Sequence, residues 1–473
     1  MGSPLKLSLF LILILGLAWA SGCGQGSPAG PNIVVVVLDT VRLDATDLGA
    51  SAGEWRNLTP QLATLAAEGQ IFTNAWTTAP WTVPAHASMF TGLLPSVHGC
   101  LSTHTRLDLE HDTTAEQLAA AGYTTAAFYS NPWLSDEASG LLRGFALKKE
   151  APIGGLNTLR SRYGDQGGRE TLHNLNSWLE ERSDDGPAFL FINFLEAHLP
   201  YDPPEYARQK AVPDLPEEDR VTNLWAHEFN AGMYQSETVD WNRVRQLYGG
   251  DVYTADVLLG ELVRLLKKHA LYEDTVLVVT SDHGENLGEH GLVDHQFSLG
   301  ETLLAVPLVI RAPDRLDAGS RSDVPVQLGD IHATVLAAAG LPNPIADTHD
   351  LLTAGVSPER PLVAEYAGAP GALLRYLKKL NPEFAPQEHA VALRSVRQAT
   401  LRLTVGSDGL LQLHDLATDP AQAQNLAVER PAEVARLLNL LPAAEKGPWV
   451  GQAADDPLDE ATRAKLRSLG YVR

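Results

Sequence analysis

The run Asn32–Leu38, N-I-V-V-V-V-L, constrains this chain more than any other stretch. Consecutive β-branched residues have no polar face, so such a segment fits a strand covered on both sides, as in a parallel sheet. Two later segments also read as strands, Ala188–Phe194 and the buried run Thr275–Thr280. Helical periodicity separates them: Leu58–Gly69, Thr114–Ala121, Glu170–Arg182 and Trp241–Ala270, the last with a break expected at Gly249-Gly250. The alternation predicts an α/β fold, with a large, mostly parallel central sheet and helices on both faces. Residues 140–168 are rich in glycine and lack periodicity, which predicts a loop; residues 203–235 are polar and Pro-rich, which predicts an insertion over the active-site face.

The first strand ends in Asp39 and the last in Ser281-Asp282-His283-Gly284-Glu285. Carboxylates there project from the C-terminal strand edge, where open α/β sheets bind ligands. A third polar phrase, Glu196-Ala-His198-Leu-Pro200-Tyr201, follows the strand Ala188–Phe194. The stretch Ala79–Gly99, A-P-W-T-V-P-A-H-A-S-M-F-T-G-L-L-P-S-V-H-G, adds a hydroxyl. Pro84 suits a first helical turn, so Thr82 lies at the N-terminus of a helix running to about Thr91. Free N–H groups and the positive end of the helix dipole favour an alkoxide nucleophile and an anionic substrate there. Helix capping by Thr82 is the plain structural alternative.

T-V-P-A-H-A-S-M-F-T-G-L-L-P resembles the sulfatase signature of the alkaline phosphatase superfamily, with Thr82 in the nucleophile position. The opening P-N-I-V-V-V-V-L-D, the phrases E-A-H-L-P-Y and S-D-H-G-E, and H-Q-F-S-L-G-E-T-L-L-A-V-P-L are similar to the family's, in family order. The helical phrase Gly329–Gly340 also matches. So do the C-terminal L-H-D-L-A-T-D-P-A-Q-A-Q-N-L and the tail K-L-R-S-L-G-Y-V. The resemblance implies a metal bound by Asp39, Asp282 and His283, with Thr82 as an additional ligand. It also implies catalytic roles for Thr82, His86, His198 and His295. Arg42 and Asp44 either steady Asp39 or pair at the surface. Two Asp and one His favour one divalent ion, Mn²⁺ or Zn²⁺ over Ca²⁺. Glu196, His198 and His295 can supply a second ion. After about residue 350 short strands and the Gly406–Gly409 turn take over, and here the family builds a small antiparallel sheet with one helix, Pro431–Leu441. The expected organisation is a signal peptide at 1–22, a tether at 23–31, a catalytic domain at 32–350 and a C-terminal subdomain at 351–473.

Three departures bear on the chemistry. Thr40 stands where many members carry a second Asp, His86 where the signature has Arg, and Thr82 where Cys or Ser is oxidised to formylglycine. Oxidised Thr would be a ketone, never that aldehyde. The reading is therefore a metal-dependent hydrolase of anionic esters (phosphodiester, phosphonate or sulfate ester) acting through a Thr82 covalent intermediate. Alternatives are an envelope-modifying phosphoryl transferase, a true sulfuric ester hydrolase, and a catalytically inactive binding module.

Net charge is −22, which opposes binding to nucleic acid. Lys6 precedes the apolar run Leu7–Ala20, short for a bilayer span but suited to a signal-peptide core. Ala20-Ser21-Gly22-Cys23 resembles a bacterial lipobox, implying a secreted lipoprotein tethered through lipid on Cys23 at the periplasmic face; plain secretory cleavage and an uncleaved anchor are the alternatives. Gly24 lacks the Asp of inner-membrane retention, which leans toward the outer membrane. With Cys23 acylated, Cys100 has no disulfide partner. The expected substrate is a small, glycan or lipid anionic ester, and the oligomeric state is left open.

Overall fold

The β-branched run forms the central strand β1 (Asn32–Leu38) of an eight-stranded sheet. The computed structural model describes residues 30–49, 55–153, 164–183 and 186–450. The signal segment, Cys23 and the tail K-L-R-S-L-G-Y-V lie outside them. The other strands are β2 (Gln70–Phe72), β3 (Thr124–Tyr129), β4 (Leu147–Glu150), β5 (Ala188–Phe194), β6 (Thr275–Thr280), β7 (Leu308–Arg311) and β8 (Ser320–Ser322). Their order is β8-β2-β7-β6-β1-β5-β3-β4. Only β7 runs against the rest, antiparallel to both β2 and β6.

Strand alternation divides β1 between two cores. Ile33, Val35 and Val37 pack on one face with Val83, Ala87 and Phe90 of α2 (Thr82–Thr91). Val34, Val36 and Leu38 pack on the other with α1 (Pro60–Glu68), α3 (Gly168–Glu181) and α4 (Trp241–Lys268). Burying one such side chain contributes about 1.5–3 kcal/mol, so the two-sided strand anchors both layers. The register then sets the chemistry. Val37 pairs with Thr280 across the β1–β6 ladder, which brings Asp39 level with Asp282. Val37 also pairs with Asn193, putting that polar side chain next to the same edge.

Two expectations are corrected. Helix α4 continues through Gly249-Gly250, because the glycines serve packing: a Cβ on Gly250 would lie 2.7 Å from the Pro203 ring, and one on Gly249 3.1 Å from Leu58. The expected loop at 140–168 contains β4, a polar edge strand (L-K-K-E) parallel to β3, whose lysines suit an edge but hide the strand from periodicity. Residues 203–235 carry helices Glu205–Ala211 and Asn223–Asn230. Asn230 exchanges two hydrogen bonds with Val293, which ties this insertion to the hairpin leading into His295.

A second, antiparallel sheet follows: β9 (Leu362–Tyr366), β10 (Leu393–Gln398), β11 (Leu401–Gly406) and β12 (Leu411–Asp415), paired in chain order. Helix α5 (Pro431–Leu438) covers it through Val434 and Leu437. The sheet docks onto the catalytic layer through Glu365 N–H to Thr78 O and Gln327 Nε2 to Val363 O. No helix among the described residues is long and apolar enough to cross a membrane, and Cys100 is a buried free thiol.

Candidate active site

Asp39, Asp282 and His283 converge, with one ligand atom of each within 4.8 Å of the others. All three are buried. The backbone decides which atoms stay available. Asp282 Oδ1 accepts the N–H groups of Thr40 (3.2 Å) and His283 (3.0 Å), leaving Oδ2 without a partner. His283 donates Nδ1–H to Gly284 O (2.9 Å), so the lone pair sits on Nε2, also without a partner. Asp39 Oδ2 accepts from Asn131 (2.8 Å) and Asn193 (2.9 Å), leaving Oδ1. Three buried, unpaired acceptors around one point fit a divalent cation, and nothing else on these residues would repay their desolvation. Burial, and for Asp39 also the Asp282 charge, raises both carboxyl pKa values, while burial drives His283 well below the ordinary histidine value.

Thr82 is the first residue of α2, and the N-cap position belongs to Trp81, which makes no side-chain cap hydrogen bond. Thr82 Oγ1 accepts from Asn131 Nδ2 (3.3 Å), the amide that also holds Asp39, so one group fixes hydroxyl and carboxylate together. Thr40 adopts φ 58°, an uncommon conformation for a β-branched residue, and this aims its N–H at Asp282 where the family pattern has a further carboxylate. Arg42 pairs with Asp44 (2.7 Å) and Glu289 (2.8 Å) and donates to Glu285 O (3.1 Å); no hydrogen bond joins it to Asp39.

The histidines separate into different roles. His86, one turn after Thr82, lies 2.9 Å from Thr82 O through Nδ1 and 3.5 Å from Asp282 Oδ2. Its ring packs edge-on against Phe191, 5.8 Å between centroids. That placement ties His86 to the first turn of α2 through Nδ1 and leaves its Nε2 buried without a partner. His198 and His295 do adjoin the centre, with His295 ring centroids 5.3 Å from His198 and 4.5 Å from His283. His198 donates Nδ1–H to Leu199 O (2.7 Å), which turns Nε2 into the atom that can exchange a proton. His295 Nδ1 lies 2.8 Å from Asp294 and 3.1 Å from Glu285. Burial works against its charged form, yet those two carboxylates hold its pKa well above the ordinary value. The grouping of Glu196 with His198 and His295 is not found. The second close set among the described residues is Glu285, Asp294 and His295, and the Glu196 carboxylate turns away to the Gly168 N–H (2.8 Å).

Asn131 and Asn193 are the site residues that sequence reasoning missed. A polar residue inside F-I-N-F, on a strand buried on both faces, was the available signal for Asn193. Asn131, two residues beyond β3 in S-N-P, looks like an ordinary turn.

The sulfatase family profile matches residues 31–341, which include every one of these side chains. The chain belongs to the sulfatase family. This sulfatase-family chain is therefore an ester hydrolase of the alkaline phosphatase superfamily, and the family is metal-dependent. It is 26% identical to a sulfatase of Formosa agariphila over 66% of this chain and 69% of that protein. It is 25% identical to arylsulfatase K of Canis lupus familiaris over 87% of this chain and 81% of that protein. Among solved structures, the phosphonate monoester hydrolase of Agrobacterium radiobacter superposes with TM-score 0.68 at 22% identity, covering 87% and 95% of the two chains. A structure in complex with its substrate D-glucosamine-2-N,6-O-disulfate superposes with TM-score 0.64 at 18% identity, covering 87% and 97%. These likenesses establish the fold.

Proposed function

We propose that the protein hydrolyses phosphodiester or phosphonate esters through a covalent intermediate on Thr82. The observation that carries this reading is the shared Asn131 amide, which holds an uncapping, buried hydroxyl beside the orphaned acceptors of Asp39, Asp282 and His283. Asp39, Asp282 and His283, with Thr82 as a further ligand, would hold a divalent cation, which would supply Lewis-acid activation of the hydroxyl and of the ester. Thr82 Oγ bonds to phosphorus as the ester P–O bond breaks; the Thr82 proton leaves to solvent and the leaving oxygen takes one up from His198. Water then attacks phosphorus and gives a proton to His198, the P–O bond to Thr82 breaks and Oγ regains a proton from solvent. His198 Nε2 is placed to give the leaving group its proton and to accept one from the attacking water. His295, held as a cation, stands to face the anionic oxygens of the substrate. A charge-paired His295 favours one ion over two, and the set of two Asp and one His favours Mn²⁺ or Zn²⁺ over Ca²⁺.

Thr82 cannot become formylglycine, which favours phosphoryl over sulfuryl transfer; likeness to a phosphonate monoester hydrolase agrees with that preference. Purified protein assayed on aryl sulfate, phosphate monoester, phosphodiester and phosphonate ester with Mn²⁺, Zn²⁺, Mg²⁺ and Ca²⁺ tests the reading. Turnover of aryl sulfate equal to or above every phosphorus ester would reject it. We also propose, from the lipobox resemblance, that the mature chain begins at an acylated Cys23 facing the periplasm. Mass spectrometry of the N-terminus checks this, and an unmodified terminus at any position refutes it.

A further inference from the structure

Strand alternation gives the small antiparallel sheet two faces of different chemistry. Leu403 of β11 and Leu413 of β12 turn to helix α5, where they pack with Val434 and Leu437. The residues beside them pair across the ladder, Arg402 with His414 and Thr404 with Gln412. These four polar side chains line a cavity of about 320 Å³, together with Phe297 and Ser298 of the segment that follows His295. A cavity of that size accepts a small organic ligand.

One charge in this cavity is under-paired. Arg402 is only 4% exposed, and its Nη1 reaches Glu301 Oε1 at 3.3 Å. Glu301 also pairs with Arg397 (3.7 Å) and accepts the Trp76 Nε1–H (3.3 Å), so one carboxylate serves two guanidinium groups. Arg402 Nε, a donor on the side-on edge of the guanidinium, is buried with no partner. Burial pulls the Arg402 pKa below the ordinary arginine value despite Glu301. His414 offers the opposite function. It donates Nδ1–H to Gln424 O (3.0 Å), which leaves Nε2 as an acceptor, and burial together with the Arg402 charge lowers its pKa. The carboxylates at this cavity, Glu388 and Asp408, belong to solvent-exposed residues.

We propose that this cavity binds a small hydroxycarboxylate, its carboxylate held by Arg402 and its hydroxyls by His414 and Gln412. A guanidinium takes a planar carboxylate through parallel N–H···O bonds, and such charge-assisted bonds are roughly twice as strong as neutral ones. An imidazole that already donates to the backbone needs a donor from the ligand, which a hydroxyl supplies. Ser298 follows His295 by three residues, a chain span of at most about 11 Å, so the ligand lies beside the reaction centre without entering it. The carboxylate can belong to the ester substrate itself or to a separate molecule; the chemistry at Arg402 is the same. Binding here makes and breaks no covalent bond.

Calorimetric titration of the full chain with gluconate tests the site, with glucose as the uncharged counterpart. Gluconate should bind, and glucose at least ~10-fold more weakly. Arg402→Lys keeps the charge and loses the planar fork, so gluconate affinity should fall at least ~10-fold. Gln412→Leu removes one hydrogen bond and should weaken binding at least ~3-fold. No gluconate binding, or equal binding of glucose, would overturn the proposal. Binding that neither substitution changes would place gluconate elsewhere, at the reaction centre included, and would overturn it equally. Should Arg402→Lys fail to fold, Gln412→Leu decides by the same criterion. Kinetics then separate the two sources. A carboxylate carried by the substrate makes the weakened variant raise KM for a carboxylate-bearing ester, with kcat and the KM of its uncharged analogue unchanged. A separate ligand leaves both KM values in place while gluconate affinity falls. Either result supports the site. The titration needs no turnover, so its failure is separable from that of the phosphoryl-transfer reading.

Discussion

Two buried clusters meet at His283 and His295, each built from one histidine and two carboxylates, and they solve the same electrostatic problem in opposite ways. Around His283, backbone groups take the spare valences: Gly284 O holds the imidazole N–H, and Thr40 and His283 N–H groups occupy Asp282 Oδ1. Lone pairs are left facing one another, His283 Nε2 lying 3.4 Å from Asp282 Oδ2, and the imidazole is driven neutral. Around His295 the imidazole N–H points at the carboxylates themselves, so a proton bridges the group. Burial alone would raise the Asp294 pKa, but His295 outweighs it and holds Asp294 below the ordinary range. Composition therefore does not separate a metal site from a fixed cation. What separates them is the partner of Nδ1, a backbone carbonyl for His283 and two carboxylates for His295.

The largest test of this contrast is Thr82→Ala. If the His283 cluster is the reaction centre, activity on every ester should drop at least ~10³-fold. Thr82 is not a cap, so the melting temperature should move by no more than roughly 2 °C. Thr82→Ser should keep substantial activity; an active Thr82→Ala protein would remove the nucleophile from the account.

Next in size, Asp282→Asn should lower the Mn²⁺ or Zn²⁺ content by one equivalent and activity by ~10² or more, since several kcal/mol of charge stabilisation go with the ion. Asp294→Asn should behave differently. It leaves the transition metal in place and reduces kcat/KM by roughly 10- to 100-fold, through a weakened His295 cation. Metal analysis of the two variants side by side decides the matter: loss of the ion in both would show that the clusters form one site.

The smallest effect calibrates what burial does away from both clusters. Asp256 accepts the Gln61 (2.9 Å) and Leu62 (2.8 Å) N–H groups at the start of α1, and burial still pushes it up to about 7. A carboxyl raised above its unfolded value of about 3.9 binds more protons when folded, so its contribution to stability declines as pH rises from about 4 to about 7. Asp256→Asn lacks that slope while leaving one N–H less well served. The melting-temperature advantage of wild type should therefore shrink by roughly 1–3 °C between pH 5 and pH 8. A constant gap would mean Asp256 is already ionised at pH 5.

Much of the molecule was legible in the chain itself. Uninterrupted β-branched runs favour strands covered on both faces, so β1 and β6, and with them Asp39 and Asp282 just beyond the strand ends, were expected from residue chemistry. Thr82 at a helix start followed from Pro84 and the polar lead-in. The glycine pair in α4 and the polar edge strand β4 misled, because local propensity cannot see Pro203 against Gly250 or a neighbouring strand beside L-K-K-E. Tertiary structure alone decided the roles within the site. Asn131 meets Thr82 49 positions away and Asp39 92 away, and Thr40 N–H meets Asp282 242 away. Glu196 and His198, two residues apart, were sent to different places, and His86 packs against Phe191 one turn after Thr82. A side chain's protonation and partners depend on the hydrogen bonds it meets after folding, and those come from segments that periodicity and motif spacing do not connect.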